Sequence, residues 1–131
     1  MLAFMAFASA TTGAPDISGD WITADRDAVV RIASCGNQKC GTIIRVLAHG
    51  AAVPQTDANN PDKARRSQRL VGLTVLIGFT AAQSEWVNGR AYDPQSGRTY
   101  KSKLSLSADG TLAVTGCVFF ICQSQRWMRM R

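Results

Sequence analysis

At 131 residues the chain has room for one domain with a real core and not for two. Its 46% hydrophobic and 18% charged composition excludes a disordered chain. The net charge of +6 favours anionic partners such as lipid headgroups or lipopolysaccharide phosphates, unless it serves solubility alone.

Taken in chain order, Leu2 to Phe7 is apolar and runs into Ala8-Ser9-Ala10, the pattern of a signal-peptide core with a small-residue cleavage site. No Lys or Arg precedes it, and it is too short to span a bilayer. Residues 1–10 are therefore expected as a signal peptide and residues 16–131 as a periplasmic or secreted domain with no transmembrane segment.

Short period-two segments then recur between turn signals. They predict strands at Asp20–Thr23, Ala28–Ser34, Gly41–Leu47, Leu70–Phe79, Glu85–Tyr92, Thr99–Leu106, Thr111–Cys117 and Gln123–Met130. Arg31 between Val30 and Ile32, and Lys103 and Ser105 around Leu104, mark strands with one wet and one dry face. The nearly continuous apolar run Leu70–Phe79 predicts a strand covered on both sides, with Gly72 and Gly78 allowing close packing or a bend. Asp93-Pro94-Gln95-Ser96-Gly97 and Ser107-Ala108-Asp109-Gly110 read as hairpin turns. The one long excursion, from Ala48 to Arg69, predicts a short helix over Pro61–Gln68 capped by Asn60. Sequential, hairpin-joined strands in so small a domain favour a single antiparallel up-and-down β-barrel of about eight strands, a two-sheet sandwich being the alternative.

Four cysteines fall in two pairs of equal spacing, Cys35/Cys40 and Cys117/Cys122, each flanking a hairpin tip. Opposed positions on an antiparallel ladder lie within disulfide reach, which points to an oxidising compartment. Local pairs would close loops of about six residues and stabilise by only ~2 kcal/mol each, whereas a cross-pair such as Cys35 with Cys117 would give ~4.5 kcal/mol. Hairpin geometry favours the local pairs, which would clamp two tips. One tip is polar, Gly36-Asn37-Gln38-Lys39. The other is apolar, Val118-Phe119-Phe120-Ile121, and is a candidate contact with lipid, ligand or partner.

Catalysis finds little footing. His49 is the only histidine and lies in a loop, so no nucleophilic triad can be assembled without it. Oxidised cysteines leave no soft ligands for a transition metal, and reduced ones at this spacing fit zinc poorly. Asp57, Asn59, Asn60 and Asp62 are explained by capping and turns rather than as a calcium loop. No cofactor and no metal site is expected. The basic clusters Lys63–Arg69 and Arg126–Arg131 lack interleaved aromatics, which argues against nucleic acid. Trp86, Tyr92, Tyr100 and Trp127 are core residues or the lining of a ligand cavity. Gln125 and Arg129 share a strand face with Trp127.

Gly19-Asp20-Trp21, Cys35-Gly36…Cys40-Gly41, Asp57…Asn60-Pro61-Asp62…Arg66…Leu70-Val71-Gly72, Trp86…Gly89…Tyr92-Asp93-Pro94…Gly97…Tyr100, Leu112…Val114…Gly116-Cys117 and Gln125…Trp127…Arg129 occur in one order. Together they resemble the bacterial exported family catalogued as domain of unknown function 2147, from about Asp16 to Arg131. That resemblance implies a small lipocalin-like barrel of the envelope and no established activity. Gly19-Asp20-Trp21 also looks like the opening motif of lipocalins, which implies that Trp21 plugs one end of the barrel and that Arg129 lies across its ring. The leading expectation is thus a non-catalytic exported barrel that carries a small apolar or amphipathic molecule or an envelope component. The alternative is a ligand-free interaction module.

Overall fold

β-branched and apolar residues at every second position, punctuated by turn residues, build eight strands that close into one barrel in the computed structural model, which describes residues 13–47 and 55–131. The strands are β1 (Gly19–Ile22), β2 (Ala28–Cys35), β3 (Gln38–Val46), β4 (Thr74–Ala82), β5 (Glu85–Asp93), β6 (Arg98–Leu106), β7 (Leu112–Val118) and β8 (Ile121–Arg129). Each pairs antiparallel with the next, and β8 closes on β1 through Trp21 opposite Arg129 and Ile22 opposite Met128. The expected signal segment and His49 lie outside the described residues.

Strict alternation is broken where the core needs it. Against β3, β4 carries an extra residue between Leu76 and Phe79, so both of these side chains turn inward although three positions apart. Trp86 and Gly89 in β5 do the same against Leu104 and Ser102 of β6. The result is an interior of Trp21, Ile32, Leu76, Phe79, Leu104 and Leu112, each at most 1% exposed.

Three expectations are corrected. The stretch 61–68 is not a helix but a single 3-10 turn, Lys63–Arg65, capped by Asp62 rather than Asn60. Its residues Lys63, Ala64 and Arg65 offer nothing to bury, so tertiary packing gives a longer helix no support. β4 begins at Thr74, leaving Gly72 in the preceding turn, and Ile77 is 42% exposed, so this strand is covered on one face only. The hairpin tips are tighter than expected: the turns are Gly36-Asn37 and Phe119-Phe120, because Cys35 pairs with Gln38 and Val118 with Ile121.

Candidate functional site

The barrel has one closed end and one mouth. At the closed end the segment before β1 runs beneath the strands and inserts Ile17, fully buried. Two indole N–H groups are satisfied by its carbonyls: Trp21 Nε1 donates to Ile17 O and Trp86 Nε1 to Pro15 O, both at 2.9 Å. Lys39 reaches the same segment, donating to Ser18 Oγ at 2.7 Å, pairing with Asp16 at 3.5 Å and lying 5.5 Å from the Trp86 ring centre. Hydrogen bonding from Ser18, its backbone N–H first and its side chain next, and then the charge of Lys39 hold the Asp16 carboxyl below the usual carboxylate range.

Arg129 completes this end. Its guanidinium carbon sits 4.3 Å from the Trp21 ring centre and its Nη1 donates to Ser18 O at 3.0 Å. Stacking with one charge-assisted hydrogen bond predicts that Arg129→Ala lowers stability by about 1–2 kcal/mol and that Arg129→Lys recovers part of it. Urea unfolding checks this, and equal losses for both variants would mean that the stack contributes nothing.

The barrel core is filled by large side chains. Phe79, fully buried, lies over Gly89, where a Cβ would overlap the phenyl ring. Trp86 and Trp127, two of the candidate ligand contacts, are buried in this core. Tyr100, Ser102 and Gly116 share the inner face nearer the mouth; Ser102 is buried and donates to Thr115 O at 2.7 Å.

The mouth is formed by the β1–β2 and β5–β6 turns, the described part of the long β3–β4 connection, and the β7–β8 tip. Gln95 Nε2 donates to Asp27 Oδ2 at 2.6 Å and so ties the β5–β6 turn to the β1–β2 turn on the opposite wall. The long connection is anchored by Asp57, a fully buried carboxylate that accepts from Tyr92 Oη and Asn60 Nδ2 at 2.7 Å each and from Gln68 Nε2 at 3.1 Å. Burial, then the bond to Asp57, pushes the Tyr92 phenol well above its ordinary value. The Tyr92 hydroxyl is thus engaged by the loop. Gly97, at φ +72°, has the Asn59 carbonyl where a Cβ would be.

Both cysteine pairs are disulfides, and both are local. Cys117 and Cys122 are directly opposed, whereas Cys35 and Cys40 are joined on the diagonal, Cys40 facing Ala33 and Cys35 facing Gln38. The second disulfide anchors a finger. β8 meets β1 only at Trp21 and Ile22, so its first six residues, Ile121 to Arg126, are exposed on both faces. At the finger's tip Phe119 is 94% and Phe120 92% exposed. Two open depressions, of about 480 and 440 Å³, mark the outer wall: one between Arg65, Arg69, Val71 and Ile77, the other beside Arg31, Cys35, Cys40 and Ile44.

Among the described residues no group of three or more His, Cys, Asp or Glu side chains is placed to hold a metal ion, and no helix is long and apolar enough to cross a membrane. Phe79, Ile17 and the cross-strand cations Arg90 and Lys101 escaped the sequence reading. Only the cations left a trace there, as charges at alternate strand positions.

A family profile described as an uncharacterized protein conserved in bacteria (DUF2147) matches residues 19–129. Among solved structures, the Helicobacter pylori protein HP1028, described as belonging to the lipocalin family, aligns with a TM-score of 0.77 at 17% identity, over 88% of this chain and 84% of that one. At that identity the likeness is one of fold. No curated protein matches the chain.

Proposed function

The chain belongs to this uncharacterised bacterial family, and from that premise we propose that it is a non-catalytic binding protein of the envelope which acts through the outside of a filled barrel. The carrying observation is the filled core, in which Phe79, fully buried, covers Gly89 and packs in one cluster with Trp21, Trp86 and Trp127, taking volume that a carried molecule would need. Export is supported by the two disulfides, which persist in oxidising compartments. The lipocalin-like fold supports binding rather than catalysis.

A carrier reading keeps one foothold. Gln123 and Gln125, on the same face of β8 as Trp127, are exposed, so the wall of the mouth is open beside Tyr100 and Gly116. A molecule held there would sit in a shallow cup rather than an enclosed calyx.

Native mass spectrometry of the full-length protein incubated with a bacterial lipid extract separates the two. The outside reading expects the bare protein mass once the apolar tip is replaced in Phe119→Asn/Phe120→Ser. A stoichiometric adduct that survives this replacement would establish interior binding and overturn the reading.

A further inference from the structure

Three features meet on the β5–β6–β7 wall and its finger. The first is the tip. Two phenylalanines stand almost fully in solvent, flanked by Val118 at 48% and Ile121 at 64% exposure, on a turn held by Cys117–Cys122. A closed turn loses little freedom on insertion, so the contact would carry a small ordering cost.

The second is backbone conformation. Phe119 holds φ +54°, the left-handed region, where asparagine or glycine is the ordinary choice and a bulky side chain is out of place. An exposed aromatic kept at a strained position points to a use for the ring itself.

The third is charge. Arg90 of β5 and Lys101 of β6 are direct cross-strand partners on the outer face, and among the described residues neither side chain has a carboxylate partner. Like charges directly opposed are destabilising unless an anion is shared between them. Lys101 is in turn opposite Cys117, at the root of the finger, and Arg98 lies further along the same strand toward the tip. The finger turn begins two residues beyond that rung, about 7 Å at strand rise. An apolar element seated in a bilayer interface lies roughly 5–10 Å below the headgroups. With the tip at the acyl boundary, Arg90 and Lys101 therefore stand at the level of the phosphates.

We infer that the β7–β8 finger docks on an anionic phospholipid bilayer, Phe119 and Phe120 entering the interface while Arg90 and Lys101 share headgroup phosphates. This rests on the reading of the barrel as acting through its outside, and it names the partner of that outside.

The test is vesicle sedimentation of the full-length, disulfide-bonded protein. The apolar N-terminus is common to every variant, so differences between vesicle types and between variants count, not binding as such. Binding to phosphatidylglycerol vesicles should exceed binding to phosphatidylcholine vesicles at least tenfold and weaken with salt. Phe119→Asn/Phe120→Ser should cost at least tenfold in affinity. Phe119→Asn alone should raise the melting temperature slightly while weakening binding, which no folding defect can do. Arg90→Glu/Lys101→Glu should abolish the preference for phosphatidylglycerol. Equal binding to both vesicles, or binding indifferent to the tip, overturns the inference. A dimer in sedimentation velocity that needs Phe119 and Phe120, without vesicle binding, also overturns it while leaving the outside reading intact. An interior adduct in the mass spectrum overturns the outside reading and, with it, the inference that rests on it.

Discussion

Phe79→Ala should destabilise the barrel by about 3–5 kcal/mol and turn a filled interior into one that takes up small apolar molecules. The ring is fully buried, and its removal leaves a void bounded by Leu76, Gly89 and the remaining core. In a domain of this size such a loss corresponds to a fall in melting temperature of roughly 10–20 °C. Apolar voids stay dry and accept benzene-sized guests, so benzene should raise the melting temperature of Phe79→Ala and leave the wild type unmoved. Gly89→Ala probes the same contact from the other side, because its methyl group would enter the ring. Combining it with Phe79→Leu should restore part of the loss, a non-additivity that marks direct contact. A cost below about 1 kcal/mol for Phe79→Ala, or a wild type itself stabilised by benzene, would mean that the axis is already open, and the carrier reading would regain its ground.

How far the chain could be read before its fold was known depends on the range of the interactions involved. Strand identity and closure were legible because alternation and turn chemistry are local: Arg31 between Val30 and Ile32 declares a wet face wherever that strand ends up. The closing pair Trp21 and Arg129 was legible only through resemblance, since they are far apart in sequence and meet through the β1–β8 seam. The role of Phe79 left no linear signal. It faces inward because the extra residue in β4 breaks the period of two, and that break is defined only against β3. The helix expected over 61–68 failed for the opposite reason. Its cap and proline were present, but nothing in Lys63-Ala64-Arg65-Arg66 could anchor it to the barrel. The finger was visible as an apolar turn between cysteines. Its projection follows from β1 having only four residues, too few to cover the upper half of β8.

That same difference in range separates the disulfides from the interactions that hold the mouth together. Each disulfide spans only five positions, so it constrains a tip and barely constrains the domain. The long β3–β4 connection has no such clamp among the described residues. It is fastened instead by polar contacts of large sequence separation, of which Tyr92 to Asp57 is the central one.

Asp57→Ala is accordingly expected to cost about 3 kcal/mol, more than either disulfide contributes through loop closure. The carboxylate is fully buried and, among the described residues, has no cation within ion-pair distance; three donors satisfy it instead, from Asn60, Gln68 and Tyr92. Removing it strands those donors, of which Asn60, itself buried, has the least access to replacement water. Tyr92→Phe deletes one donor and should cost about 1–2 kcal/mol. The double variant should cost less than the sum, with a coupling near 1 kcal/mol. The pH dependence has a definite sign. The phenol is held above its ordinary 10.0 in the folded protein, so the stability it supplies is complete below pH 10 and is lost as pH rises from there through the folded value. In a Tyr100→Phe background, which leaves Tyr92 as the single tyrosine, phenolate absorbance should therefore appear only together with alkaline unfolding. Hydrogen exchange should locate the effect. In Asp57→Ala the backbone amides at positions 57, 60 and 70, which close the turns of this connection, should lose protection before those of β2 and β6. Simultaneous loss everywhere would show that the connection is part of the barrel's own cooperative unit. Phenolate formation in the intact fold near pH 10 would show that Asp57 does not hold the phenol at all.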